Sequence, residues 1–197
     1  NVGRGVAYTN WVGRGECRGR TDMYMVSNNG YLKGCDIASF DIYPVNSSEP
    51  DVKDSLWYVA KGIDNLLEWS DHSKPVWCWI ETTKISENQN RDRDTRKPTP
   101  AEVKTQVWMA IVHGASGYGY FCHAFGTNFD DAAPLHDPEM ISGIKAINEQ
   151  VTSLARVLNS PSTRDYAAVT SSVPSVPVDV MTKNQGGTNY LFAVAMR

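Results

Sequence analysis

The apolar positions of this chain change period again and again, and each change marks an element. Residues 1–7 alternate loosely and read as a short strand, followed by a Gly- and Arg-rich loop over residues 10–20. Thr21 or Asp22 is placed to cap a helix running to about Leu32, which Gly34 closes. Residues 36–43 form a buried strand stopped by Pro44. Trp57, Val59, Ala60, Ile63, Leu66 and Leu67 then recur at helical spacing, which predicts a helix from about Asp54 to Ser70. Residues 75–82 are apolar on both faces until Glu81. Thr99-Pro-Ala-Glu102 is a capping box with proline at the first helical position. The helix it opens runs to about His113 before Gly114, with Val103, Val107, Ala110 and Ile111 on its apolar face. A strand over residues 117–123 and a last helix ending near Leu158 complete the series.

Strand then helix, repeated, with strands apolar on both faces, predicts an α/β fold with a parallel sheet covered by helices. After Ser160-Pro161 the pattern changes to short strand candidates at 166–170, 176–181 and 190–195, with Asn184-Gln-Gly-Gly187 as a hairpin turn. This tail, residues 159–197, reads as the beginning of a β-sandwich domain. Residues 1–158 hold four βα units, half of an eight-stranded barrel that takes ~250 residues when complete. A doubly wound sheet is the competing architecture, but no junction here has the Gly-rich phosphate loop it usually carries. Both ends of the chain fall inside strand-like sequence. An internal piece of a longer protein is therefore expected, with an ordinary edge strand as the alternative.

Composition narrows the function classes. Of 197 residues, 41% are hydrophobic and 21% charged, enough to bury a core and too apolar for a disordered chain. A net charge of -3 lacks the basic footprint that nucleic acid demands. No apolar run approaches the ~20 residues of a membrane span, and no basic-then-apolar signal segment is present. Six Trp, nine Tyr and five Phe suit a chain that stacks on flat or sugar-like ligands, although a large core would use most of them. Cys17 and Cys35 fall at opposite ends of a helix, and Cys78 and Cys122 on neighbouring strands, where buried thiols are commoner than a bridge. Four free thiols are expected, which leaves the compartment open. His72, His113, His123 and His136 show no zinc-ligand spacing.

In either architecture the active face lies at the carboxyl ends of the strands. The first strand delivers Tyr8, Asn10 and Trp11 there, the second Asp41 and Tyr43, the third Glu81, the fourth His123 and Phe125. Glu81 stands where an apolar strand leaves the core, so it is expected to be either functional or paired with an Arg or Tyr. Asp41 and Tyr43 share a strand face. Asp41 either positions a ligand hydroxyl or is satisfied by backbone amides near Pro44. His123 either donates to a ligand or is structural. The charged loop over residues 84–98 leaves the strand directly after Glu81 and is expected to be mobile and to lie over the cleft.

Asp36-Ile-Ala-Ser-Phe-Asp-Ile-Tyr-Pro44, Lys74-Pro-Val-Trp-Cys-Trp-Ile-Glu81 and Gly114-Ala-Ser-Gly-Tyr-Gly-Tyr-Phe121 together resemble the retaining (β/α)8 TIM-barrel glycoside hydrolases. The resemblance is to the clan of cellulase-like family 5 enzymes and barrel β-galactosidases. It implies that residues 1–158 are strands five to eight of the barrel, its C-terminal half. It also implies that Glu81 is the nucleophile of a double displacement, with Trp11, Tyr43, Asp41, His123 and Phe125 on the sugar. Trp79 is a further stacking candidate unless it belongs to the barrel core. The acid/base, a second Glu at the end of strand four, would lie upstream of residue 1. Neither a metal nor an organic cofactor is implied. The expected partners are carbohydrate and either the missing half of the barrel or a second copy, with no nucleic acid or membrane. A secreted or periplasmic location follows if the substrate is a polysaccharide. A carbohydrate-binding or catalytically inactive relative is the alternative.

Overall fold

A computed structural model describes residues 6–9, 32, 35–85, 96–126, 128–163 and 166–197. The helix expected near residues 21–32, and Asn10, Trp11 and Cys17, lie outside the described residues apart from Leu32. Strands β1 (Val6–Thr9), β2 (Ile37–Asp41), β3 (Val76–Glu81) and β4 (Gly117–Phe121) form one parallel sheet in the order β1-β2-β3-β4. Each strand lies beside the one before it, so the described sheet has no point at which the order reverses. Helix α1 (Tyr58–Trp69) links β2 to β3 and α2 (Pro100–Val112) links β3 to β4. Helix α3 (Pro138–Ser153) follows β4, breaks at Leu154 and continues as α4 (Ala155–Leu158). Strands β5 (Val178–Gln185) and β6 (Thr188–Ala195) close an antiparallel hairpin. The fold is mixed α/β, as the apolar pattern predicts.

The alternation of β2 and β3 decides where the core sits. Ala38, Phe40, Val76, Cys78 and Ile80 are buried together with Val59, Ile63 and Leu66 of α1 and Val103, Val107 and Ala110 of α2. Phe40 lies so close to α1 that a Cβ on Gly62 would come 2.1 Å from its ring. On the other face, half-buried Trp79 lies over Gly119, where a Cβ would meet the indole at 2.6 Å. Strand β4 is therefore glycine-bearing because a neighbouring indole occupies the space of a side chain.

Helix α2 begins and ends where its sequence signals place it. The Glu102 N–H donates to Thr99 Oγ1 at 3.3 Å, and the Thr99 N–H donates to Glu102 Oε2 at 2.8 Å. Gly114, at φ 96°, takes the left-handed turn beyond the helix. Helix α1 starts at Tyr58, later than the apolar spacing predicts. Asp54 adopts φ 56° and its N–H donates to Pro44 O at 2.9 Å, which folds the preceding stretch back onto the end of β2.

The tail departs from expectation at one of its three strand candidates. Residues 166–170 form no strand, because Tyr166 and Val169 face solvent and have no apolar surface to cover. The hairpin does form around Gly186 and Gly187, whose φ of 59° and 81° match a two-residue type I′ turn. The hairpin packs on the helices. Met181, Val194 and Met196 join the central buried cluster, and Phe192 stacks on Trp108 of α2 at 5.7 Å. No helix among the described residues is long and apolar enough to cross a membrane.

Candidate functional site

The carboxyl ends of β2, β3 and β4 bring Asp41, Glu81 and Phe121 to one rim. Glu81 is wholly buried there. Its Oε1 accepts from the Val45 N–H at 2.8 Å and from Gln106 Nε2 at 3.2 Å. Its Oε2 accepts from the Asn46 N–H at 2.9 Å and from Asn46 Nδ2 at 2.8 Å. An ionised carboxylate offers about four lone-pair positions, and all are engaged. Burial nevertheless outweighs these donors and pushes Glu81 up to about 7. Of the two roles expected of Glu81, the paired one describes this geometry, although the donors are amides rather than the expected Arg or Tyr.

Glu81 thereby joins three pieces of chain. Asn46 extends the junction, donating from Nδ2 to Thr83 O at 2.9 Å and accepting from the Ile85 N–H at 2.8 Å. The Phe125 N–H donates to Ile85 O at 2.6 Å, so the loops after β2, β3 and β4 are tied in series. Neither Asn46 nor Gln106 is singled out by sequence reasoning. Gln106 did carry a signal, since it shares the buried stripe of α2 with Val103, Val107 and Ala110 and needs a partner there. Asn46 gives no such signal.

Asp41 is 5% exposed, and its Oδ1 has no hydrogen-bond partner among the described residues. The amides beyond Pro44 that were one expected source of its partners go to Glu81 instead. At the same end of the sheet the rings form a continuous group. Tyr43 meets Phe121 at 5.0 Å, and Phe121 meets His123 at 5.4 Å and Phe125 at 6.3 Å. Phe129, which the sequence reading passes over, meets His123 at 5.8 Å and Phe125 at 5.5 Å. Phe125 is 49% exposed and Phe129 59%. Tyr43, His123 and Phe125 thus come together as expected, whereas Trp11 lies outside the described residues.

Most of the loop that follows Glu81, residues 86–95, also lies outside the described residues. At its far end Arg96 pairs with Asp54 at 2.9 Å and with Glu102 at 2.5 Å, and Lys97 pairs with Asp137. Cys35, Cys78 and Cys122 are free thiols, and burial pushes Cys78 up to about 12. Among the described residues no three His, Cys, Asp or Glu side chains are grouped to hold a metal ion. Comparison with protein-family models, curated proteins and solved structures returns no match. The functional reading therefore rests on the rim itself. It offers an exposed aromatic face, a buried carboxylate oxygen without a partner among the described residues, and a second carboxylate sealed beneath a loop.

Proposed function

We propose that this chain carries the carboxyl-end face of a retaining glycoside hydrolase acting on β-linked oligo- or polysaccharide, with β1–β4 as strands five to eight of a (β/α)8 barrel. The observation that carries the reading is the ring group of Tyr43, Phe121, His123, Phe125 and Phe129, exposed at Phe125 and Phe129, on the same sheet end as the unpartnered Oδ1 of Asp41. A pyranose presents an apolar C–H face to rings and a hydroxyl edge to a carboxylate, and this rim offers both. The unbroken strand order supports the barrel, since a doubly wound sheet reverses its order at the site. A second half, from another stretch of chain or a second copy, closes the barrel in this reading.

Glu81 is the nucleophile. Its carboxylate attacks the anomeric carbon as the bond to the leaving oxygen breaks, and the acid on strand four, ~5–5.5 Å away, protonates that oxygen. Water, deprotonated by the same acid/base, then releases the sugar. Attack requires Glu81 to give up one of its four donors. That requirement favours a second reading, a carbohydrate-binding relative without turnover, because the geometry leaves no oxygen of Glu81 free.

Glu81→Gln in a protein that includes the acid strand separates the two, using chromogenic β-glycosides for turnover and oligosaccharide titration for binding. The hydrolase reading predicts binding kept and turnover lowered by several orders of magnitude. Binding without turnover in the unsubstituted protein supports the second reading. Absence of binding removes both.

A further inference from the structure

The opposite end of the sheet holds a feature that the rim does not use. A cavity of about 670 Å³ lies between the start of β4, the end of α4 and strand β5. Lys183 of β5 lines it and is 9% exposed. Its Nζ donates to Ser160 O at 2.9 Å. No carboxylate pairs with Lys183 among the described residues, and none of the residues lining the cavity is acidic. An ammonium carries three N–H donors, and the Ser160 carbonyl is the one acceptor it has among the described residues, which leaves two donors to the cavity. Burying a cation without a counter-charge is costly, and burial holds Lys183 below its usual value. Ser162, Asn159 and Lys183 give the lining polar groups, and Ile111, Leu158 and Met181 give it apolar ones.

We infer that this cavity binds an organic carboxylate, its anionic end on Lys183 and its apolar body against Ile111, Leu158 and Met181. With no carboxylate on Lys183 among the described residues, its ammonium selects an anion. The apolar wall selects one with a hydrocarbon body over a bare oxyanion, and the volume falls within the range of small-molecule sites. Gly117 at the amino end of β4 lines this cavity, whereas Phe121 at its carboxyl end belongs to the rim, so the two sites are separate. The inference stands independently of the carbohydrate reading.

Benzoate is a suitable probe, with benzyl alcohol and inorganic phosphate as its uncharged and bare-anion counterparts. Calorimetric titration should show one benzoate per chain, with Lys183→Met and both counterparts weaker by roughly ten-fold or more. Absence of benzoate binding, equal binding in Lys183→Met, or equal affinity for either counterpart overturns the inference. Reductive methylation of the unsubstituted protein gives a second readout that needs no variant. Benzoate should slow modification of Lys183 but not of exposed Lys145, and equal rates with and without benzoate overturn it too.

Discussion

Replacing Glu81 by Leu would leave the N–H groups of Val45 and Asn46 and the amide of Gln106 without their acceptor in a site closed to water. Each buried donor left unmet costs about 1–3 kcal/mol, so the loss should reach about 3 kcal/mol or more. Gln106→Leu makes the opposite case. It removes one donor to the carboxylate, but also an amide oxygen that is itself buried and without a hydrogen-bond partner among the described residues. The lost bond and the relieved penalty are each about 1–3 kcal/mol, so the net change should stay within about 1 kcal/mol. Urea unfolding of the two variants measures the contrast. A Gln106→Leu variant as unstable as Glu81→Leu would mean that the junction depends on the helix rather than on the loop amides.

At the scale of elements, α2 is held at its start by local chemistry. Thr99→Ala removes the side-chain acceptor of the Glu102 N–H and should cost about 1 kcal/mol in thermal or urea unfolding. A loss below a few tenths would show that the Arg96–Glu102 pair alone fixes this end. Locality also explains what was legible in the sequence. Capping box, proline and Gly114 all sit within a turn of the ends of α2, and both ends were read closely. The start of α1 differs from the apolar spacing because it depends on the Asp54 N–H reaching Pro44 O, a bond between positions that no local pattern connects. The site divides in the same way. Asp41, Glu81, His123 and Phe125 were legible because parallel strands deliver their end residues to one rim. The partners of Glu81 were not, because two of its four donors are main-chain groups of a loop, whose side chains say nothing about where their amides point.

At the scale of the whole molecule, three of the shifted groups among the described residues favour an acid-side optimum. Glu81 is raised from 4.5 to about 7 by burial, so its contribution is fully present below the ordinary carboxylate value and is lost as pH rises through about 7. His113 follows the same sign. Burial lowers it, but Asp64 at 2.9 Å and Asp179 at 3.2 Å, the latter an ion-pair contact without hydrogen-bond geometry, together raise it above 6.5. Its clamp between α1 and the hairpin therefore weakens as pH climbs past that raised value. Glu102 has the opposite sign: Arg96 lowers it to about 2, so its share is present above the ordinary value and lost as pH falls toward about 2. Stability should peak near about pH 5 in a series of thermal melts, and a steady rise to pH 8 would contradict these environments. The central claim concerns the rim, and sugar binding tests it most directly. The unsubstituted chain and a Phe125→Ala/Phe129→Ala variant should be titrated with a panel of β-linked oligosaccharides. At least one should bind the unsubstituted chain and weaken roughly ten-fold or more in the variant, as loss of aromatic anchors does elsewhere. Failure of the whole panel to bind, or equal affinity in the variant, would contradict a carbohydrate site at this face.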